Sequence, residues 1–210
     1  MKKIPTAFKR VFDGHKITGV LPEYTNDECK NAVENGMPTI KMDGSCCAII
    51  GGKFYKRYDA KKGKPVPEGA IKCQDEPDEV TGHLPCWVKV DPENKADKWF
   101  VEAYNRYIEG LRNNSKRLGF DFVVLRDGTY EAIGKHFNGN PYNMYYDTLE
   151  LHGIRILSAD IDSFKAAKEW LENHPEHEGI VWWDFEKDVP VCKLKRSDFG
   201  LKFPVKEENE

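Results

Sequence analysis

The sequence predicts an α+β fold, in which antiparallel sheets are flanked by helices. Three segments have the pattern of β-hairpins, and three amphipathic segments have helical spacing. The helices fall between hairpins instead of alternating with single strands, which favours this class over a parallel sheet. Neither G-x-G-x-x-G nor G-x-x-x-x-G-K-[ST] occurs, so a bound nucleotide would not be held by a glycine-rich phosphate loop.

Composition is typical of a globular protein. Of 210 residues, 40% are hydrophobic, 12% aromatic and 32% charged, a balance that excludes the disordered and fibrous classes. No stretch approaches the about 18 consecutive apolar residues of a membrane helix, and the basic N-terminus lacks the apolar part of a secretory signal. We therefore expect one domain over residues 1–210 with a disordered tail at 206–210, a monomer in the cytoplasm without membrane contact.

The first predicted helix covers residues 26–35. Thr25-Asn-Asp-Glu28 has the form of a capping box, Gly36 stands at a stop position, and Pro38 cannot continue the helix. Strand patterns follow at 39–41, 46–50 and 53–58. The last two are joined by Gly51-Gly52, which predicts a β-hairpin.

The middle of the chain predicts a long loop followed by a long helix. Residues 60–95 are rich in Lys, Pro, Gly, Asp and Glu and show little periodicity, apart from a short strand pattern at 84–90. Apolar residues then recur at helical spacing over residues 97–113, and we interpret this stripe as core. Its members are Phe100, Ala103, Tyr104, Tyr107, Ile108 and Leu111.

Two more hairpins and one more helix are predicted in the second half. Residues 120–125 and 129–133 flank Asp127-Gly128, a strong type I′ turn signal. A short strand is predicted at 154–157, and an amphipathic helix contains Phe164, Ala167, Trp170 and Leu171. Residues 179–183 and 190–195 form the third predicted hairpin.

The cysteine and histidine spacings predict neither disulfides nor a metal site. There is no C-x-x-C pair, and Cys46 and Cys47 are adjacent, so we expect reduced, mostly buried thiols that pack in the core. The six are Cys29, Cys46, Cys47, Cys73, Cys86 and Cys192. His83, His136 and His152 lack metal-ligand spacing, and the sequence assigns them no role.

Charged residues recur at the ends of the predicted strands. Lys193 and Lys195 stand at i and i+2 on one strand, so both side chains face the same side. For each of these charged residues taken alone, a position on a solvent-exposed sheet face is a sufficient explanation. Together the set is suited to binding a polyphosphate and its metal, and its members are Lys41, Asp43, Arg57, Glu131, Glu178, Lys193 and Lys195.

Lys41 is the candidate nucleophile of this set. A free lysine, with a pKa near ~10.4, is almost wholly protonated at neutral pH and cannot attack. Burial, nearby cations such as Arg57, Lys193 and Lys195, or a bound metal would lower this pKa. Asp43 would hold the amine in place, although its charge opposes the shift, and Gly44 permits close approach of the backbone to a ligand.

Four stretches together resemble the nucleotidyl-transfer motifs of ATP-dependent ligases and capping enzymes. Lys41-Met42-Asp43-Gly44 is similar to their K-x-D-G motif. Tyr130-Glu131-Ala132-Ile133-Gly134, Glu178-Gly179-Ile180-Val181 and Lys193-Leu194-Lys195 follow in the order of the third, fourth and fifth motifs. The order of all four is more specific than K-x-D-G alone.

Over residues 38–204 the chain more closely resembles the ATP-dependent 5′-to-3′ RNA ligases first recognised in animals. The stretches are Lys41-Met-Asp-Gly-Ser-Cys-Cys47, Gly82-His-Leu-Pro-Cys-Trp-Val88, Asn138-Gly-Asn-Pro-Tyr142, Glu178-Gly-Ile-Val-Trp182 and Phe199-Gly-Leu201. The resemblance implies a nucleotidyltransferase (adenylation) domain without an OB-fold domain. It also implies an enzyme that uses ATP to join RNA 5′-phosphate and 3′-hydroxyl ends through lysyl-AMP and an adenylylated RNA end.

The resemblance also implies residue roles. Lys41, Asp43 and Lys193 would be catalytic. Ile40, Lys41, Arg57, Glu131, Lys193 and Lys195 would bind the nucleotide, and Glu178 would hold Mg²⁺ or Mn²⁺. Many ligases have Arg two residues after the motif glycine; here Cys46 stands at that position, and Arg57 is the best candidate for the phosphate contact.

RNA contacts are predicted from a basic segment. Lys56, Arg57, Lys61, Lys62 and Lys64 fall within nine residues, and Arg196 follows the last strand. Lys61, Lys62 and Arg196 are the predicted RNA-binding residues, with a solvated lysine loop as the alternative. Two other functions stay open: a GTP-using capping-type nucleotidyltransferase, and a nucleic-acid-binding module of the same fold without catalysis.

Overall fold

The computed structural model describes residues 1–14, 16–79 and 81–205, so the predicted disordered tail lies outside the described residues. In chain order the strands and helices are β1 (Phe8–Asp13), β2 (Lys16–Tyr24), α1 (Asp27–Asn35), β3 (Met37–Lys41), β4 (Ser45–Ile50), β5 (Lys53–Ala60), β6 (Ile71–Lys72), β7 (Leu84–Lys89), α2 (Lys98–Arg117), β8 (Gly128–Ile133), β9 (Thr148–Leu151), α3 (Phe164–Asn173), β10 (Gly179–Asp184) and β11 (Val189–Lys195).

The chain forms a mixed α/β fold divided into two compact units. The first unit contains Met1–Lys3 and Asp43–His152, and the second contains Ile4–Met42 and Gly153–Glu210. The named strands pair antiparallel, and three α-helices accompany them in the described part of the chain. This confirms the predicted combination of antiparallel sheets and helices. The prediction of one domain stays a prediction.

The first unit is built on a six-stranded sheet in the order β6-β7-β5-β4-β8-β9. Helix α2 packs on it, and part of the predicted stripe lies in the core: Ala103 is fully buried, and Tyr104, which is partly buried, stacks on Phe54 with ring centroids 4.8 Å apart. Phe100 and Tyr107 also pack against this core, whereas Ile108 and Leu111 are only partly buried. The β4–β5 hairpin is also confirmed. Its turn residues Gly51 and Gly52 have φ of 57° and 71°, which a type I′ turn requires.

The second unit contains a three-stranded sheet, β11-β10-β3, and the two-stranded sheet β1-β2, with α1 and α3. Trp182 lies fully buried in its core, and the indole N–H donates to the carbonyl of Ile161 at 3.1 Å. The predicted hairpin β10–β11 and helix α3 are confirmed. Strand β10 also pairs with β3, so that Gly179 is opposite both Lys41 and Lys195.

The predicted hairpin at 120–133 is wrong in its first strand. Residues 120–125 are not a strand, because both edges of β8 are occupied, by β4 on one side and β9 on the other. Asp127 does not make a turn with Gly128. Its carboxylate accepts the backbone N–H groups of Gly51 at 2.6 Å and Gly52 at 3.3 Å, and so fixes the β4–β5 turn.

Two other local predictions need correction. Residues 154–157 make only an isolated bridge, between Ile156 and Thr39, instead of a strand. Helix α1 is capped by Asn26, whose side chain accepts the N–H of Cys29 at 2.8 Å, and not by Thr25, whose hydroxyl donates to the carbonyl of Thr6.

Other features agree with the sequence or were missed by it. The six cysteines are free, as predicted, and four of them are buried. The β1–β2 hairpin was not predicted, because two irregularities in its register interrupt the alternation of apolar and polar residues. Among the described residues, no helix has the length and apolar character that crossing a membrane requires.

Candidate functional site

In the second unit, three strands bring Lys41, Glu178, Lys193 and Lys195 together; we call these residues the lysine cluster. Lys41 ends β3, Lys195 ends β11, and Glu178 immediately precedes β10, which lies between those two strands. One carboxylate oxygen of Glu178 accepts from Lys41 Nζ and the other from Lys195 Nζ. Glu178 is buried, so two charge-assisted bonds compensate the desolvation of its carboxylate.

Lys193 adds a third positive charge beside the single carboxylate of Glu178, which offsets that charge only in part. Its pKa falls from 10.5 to about 8, mainly because burial disfavours the ammonium form, and also because Lys41, Lys195 and Arg10 repel it. Arg10, on β1, itself pairs with the buried carboxylate of Asp198 at 2.8 Å. An excess of cations around one carboxylate favours binding of an anion such as a phosphate.

Replacing Lys193 by methionine is expected to stabilise the protein at neutral pH. Between about pH 8 and 10.5 the unfolded chain holds a proton on Lys193 that the folded chain has lost, so unfolding free energy rises with pH through this window. Below about pH 8, Lys193 is protonated in both states, so the folded protein bears the full free-energy cost of burying this ammonium group. We expect Lys193→Met to be more stable at pH 7 by about 1–3 kcal/mol, with the difference vanishing towards pH 10.5. Urea unfolding at pH 7, 8, 9 and 10 measures it.

Lys30, which is exposed on α1 in the same unit, provides the control. Lys30→Met should not change the pH dependence of unfolding. A stability difference between Lys193→Met and the parent protein that is constant from pH 7 to 10 would contradict this account of Lys193.

In the first unit, Glu131 on β8 is held by two hydrogen bonds. Its Oε1 accepts the backbone N–H of Gly44 at 3.0 Å, and its Oε2 lies 2.8 Å from Nε2 of His152. The side chain is 12% exposed. The carboxylate is therefore oriented by the motif glycine, and its remaining lone pairs can accept further donors.

The second half of the K-x-D-G sequence is fixed by a loop between β8 and β9. The side-chain amide of Asn138 donates to Asp43 Oδ1 at 2.9 Å and to the carbonyl of Gly44 at 2.7 Å. The hydroxyl oxygen of Tyr142 accepts the N–H of Asp43 at 2.6 Å. Asn138 and Tyr142 were not predicted as site residues, although the stretch that contains them was part of the family resemblance. The division between the units falls within the motif, between Met42 and Asp43.

The other predicted nucleotide-binding residues have protein partners. Arg57 on β5 donates to Asp59 Oδ1 at 2.8 Å and to the carbonyl of Met1 at 3.1 Å. Ile40 on β3 is half-buried opposite Ile180, and its N–H donates to the carbonyl of Arg155. Their contacts to a nucleotide stay predictions.

The three predicted RNA-binding residues are in different environments. Lys61 and Lys62 are exposed beyond β5. Arg196 is only 5% exposed and donates to the backbone carbonyls of Leu171 and Lys202. Its guanidinium thus joins the end of α3 to the segment after β11, and its contact to RNA stays a prediction.

Comparison with known proteins identifies the family. The profile of the RNA ligase 1 family matches residues 66–209, which is more than half of the chain. The chain belongs to the RNA ligase 1 family. RNA ligase 1 of Danio rerio is 34% identical, with 80% of this chain and 68% of that protein covered. RNA ligase 1 of Pongo abelii is 26% identical and that of Rattus norvegicus 27%, each with 82% of this chain and 70% of the relative covered.

This membership of the RNA ligase 1 family confirms the resemblance inferred from the motifs. Glu131, Glu178, Lys193 and Lys195 lie within the residues that the family profile matches, and Lys41 precedes them.

Proposed function

We propose that the protein is an ATP-dependent RNA ligase that joins 5′-phosphate and 3′-hydroxyl ends through lysyl-AMP at Lys41. The observation that carries the proposal is the lysine cluster: Lys41 ends a strand beside a buried carboxylate and two further lysines. Relatives named RNA ligase 1 support an RNA substrate. The fold proposed with it is that of a nucleotidyltransferase domain.

In the first step, Nζ of Lys41 attacks the α-phosphorus of ATP. The N–P bond forms, the bond from the α-phosphorus to the bridging oxygen breaks, and pyrophosphate leaves with the electron pair. Lys41 must lose a proton before it attacks, and Glu178, to which its ammonium is paired, is the carboxylate placed to hold that proton on its way to solvent. Lys193 and Lys195 would offset the charge that develops on the α-phosphate.

Glu178 fits a divalent cation as well as the two ammonium groups. Its carboxylate supplies the oxygen ligands that Mg²⁺ and Mn²⁺ prefer. Once Lys41 becomes a phosphoramide it no longer carries a positive charge, and one oxygen of the buried carboxylate loses its partner. When bound, the cation would supply charge neutralisation for the phosphate oxygens of the nucleotide.

The later steps transfer AMP and seal the strand. An oxygen of the RNA 5′-phosphate attacks the phosphorus of lysyl-AMP, the N–P bond breaks, and Lys41 regains its amine. The 3′-hydroxyl then attacks the 5′-phosphorus, and AMP leaves. Glu131 is proposed to accept from the ribose hydroxyls, Arg57 and Ile40 to contact the nucleotide, and Asp43 to orient Lys41. Lys61 and Lys62 are proposed to contact RNA phosphates.

Covalent labelling tests this proposal. The protein is incubated with ATP labelled at the α-phosphate and with Mg²⁺, then denatured and separated. We expect label on the parent protein, release of that label by pyrophosphate, and no label on Lys41→Arg, which keeps a cation beside Glu178 but removes the nucleophilic amine. Lys53→Arg, at an exposed position on β5, is the control and should be labelled like the parent.

The same experiment separates the alternatives. Label from GTP in place of ATP would indicate a capping-type transferase. No covalent label from either nucleotide, or full label on Lys41→Arg, would overturn the proposed mechanism.

A further inference from the structure

Three potential metal ligands meet on one face of the six-stranded sheet in the first unit. Cys46 on β4 is directly opposite Glu131 on β8, and residues opposite each other on antiparallel strands point to the same face. His152 follows β9, the next strand. The Cys46 Sγ, a Glu131 carboxylate oxygen and a His152 ring nitrogen all lie within 4.8 Å of one another.

The geometry is close to that of a bound zinc ion. Zinc bond lengths and tetrahedral angles place a sulfur, a nitrogen and an oxygen ligand about 3.2–3.6 Å apart. The present separations, of 2.8 Å between His152 Nε2 and Glu131 Oε2 and up to 4.8 Å within the group, require shifts of about 1 Å. The side chains of Glu131 and His152 are 12% and 16% exposed, so water has limited access to the site. A zinc ion with three protein ligands requires such access, because water occupies its fourth coordination position.

A neighbouring hydroxyl already orients the histidine. His152 Nδ1 lies 3.0 Å from Thr129 Oγ1, so that the other nitrogen, Nε2, faces Glu131. Metal-bound histidines commonly have such a hydrogen bond on the nitrogen that does not bind the metal. The ring of His152 would therefore keep its orientation when a metal ion binds.

We propose that Cys46, Glu131 and His152 form a binding site for Zn²⁺. A thiolate, an imidazole and a carboxylate together suit Zn²⁺, whereas Mg²⁺ prefers oxygen ligands alone. The set shares no residue with the lysine cluster. On binding, the thiol proton is released to solvent, and water completes the coordination.

Direct metal binding tests this site without nucleotide or RNA. The protein is stripped of metal with a chelator, and Zn²⁺ is titrated in competition with a chromophoric chelator. We expect one tight equivalent. Cys46→Ser and His152→Gln should each weaken binding at least about tenfold, and Co²⁺ in place of Zn²⁺ should give the thiolate-to-metal charge-transfer band in the parent protein but not in Cys46→Ser.

Matched controls come from the same unit. Cys73 is also a half-buried free thiol, and His136 is also paired with a carboxylate, that of Asp147 at 2.6 Å. Cys73→Ser and His136→Gln should bind Zn²⁺ like the parent. Unchanged affinity in Cys46→Ser, an equal loss in Cys73→Ser, or no charge-transfer band in the parent protein would overturn the site. The last result does not depend on whether any variant folds.

A further consequence rests on the proposed function. If Glu131 binds the ribose of ATP, Zn²⁺ on the same carboxylate should inhibit lysyl-AMP formation. With free Zn²⁺ fixed by a metal buffer, the concentration that halves labelling should be at least about tenfold higher for Cys46→Ser than for the parent. Equal sensitivity would contradict this consequence, whereas absence of label without Zn²⁺ would contradict the proposed function alone.

Discussion

Glu178→Gln is expected to lower the rate of lysyl-AMP formation by about 10²–10³-fold. The substitution keeps the shape of the side chain but removes the charge that pairs with both Lys41 and Lys195. It also removes the proposed oxygen ligand of the divalent cation. Three lysines would then face one another without a carboxylate. Lys41 would lose the partner that orients its amine, and the divalent cation would bind more weakly. Single-turnover labelling with α-labelled ATP at saturating Mg²⁺ measures the rate.

The effect of Glu178→Gln on stability should be much smaller than its effect on rate. The side chains of Lys41 and Lys195 are 20% and 31% exposed, so water can partly replace the lost ion pairs. We expect unfolding free energy to fall by about 1–2 kcal/mol, below the 3–5 kcal/mol of a broken, fully buried pair. Urea unfolding in the absence of nucleotide provides this number.

Glu176→Gln is the matched control. Glu176 lies two residues away in the same unit, with a side chain 57% exposed, and contacts His174 and His177 instead of the lysine cluster. It should leave the labelling rate unchanged. If Glu178→Gln lost labelling only in proportion to the folded fraction, Glu178 would be a structural residue, and the proposed metal role would fail.

The local parts of the fold could be predicted because their signals lie within a few residues. The Gly51-Gly52 turn and the aromatic stripe of α2 depend on backbone freedom and on spacing along one helix, and the turn and the core-facing part of the stripe are confirmed. Residues 120–125 also have a local sequence pattern that predicts a strand. They are not a strand because β4 and β9 already occupy the edges of β8, which is decided by residues far away in sequence.

The arrangement of charged residues depends even more on distant register. The motifs supplied Lys41, Glu178 and Lys195 as separate residues, but only the pairing of β10 with both β3 and β11 shows that one carboxylate holds two ammonium groups. The same applies to Cys46 and His152. Sequence motifs for metal sites are recognised by ligands that lie a few residues apart. Cys46 and His152 are far apart in sequence, and they meet Glu131 only because their strands are neighbours in the sheet.

Gly44→Ala is expected to abolish most labelling, because no side chain fits at this position. A Cβ on Gly44 would lie 2.2 Å from the carbonyl oxygen of Ala132, 2.8 Å from Ile133 Cγ2 and 3.0 Å from Glu131 Cγ. The first contact is with backbone of β8, which pairs with β4 from the next residue onward, so it cannot move without disturbing that ladder. The N–H of Gly44 would move away from Glu131 Oε1.

We expect Gly44→Ala to reduce unfolding free energy by about 1–3 kcal/mol, the usual range for a side chain forced into a packed space. Labelling should fall by at least about 10²-fold even where the variant is fully folded, because the clash shifts the motif that follows Lys41 and the carboxylate of Glu131 together. Urea unfolding, and labelling at a temperature well below the transition, measure the two effects separately.

The same substitution at Gly110 isolates the steric cause of these losses. Gly110 is exposed inside α2, and a Cβ there meets nothing within 4 Å. Since glycine is a poor helix former, Gly110→Ala should raise stability by about 0.5–1 kcal/mol and leave labelling unchanged. If Gly44→Ala lowers the free energy of unfolding and Gly110→Ala raises it, the contact with β8, and not the loss of glycine as such, determines the result. Normal labelling by Gly44→Ala would mean that the motif tolerates displacement from β8, and Glu131 would then lose its proposed role beside the nucleotide.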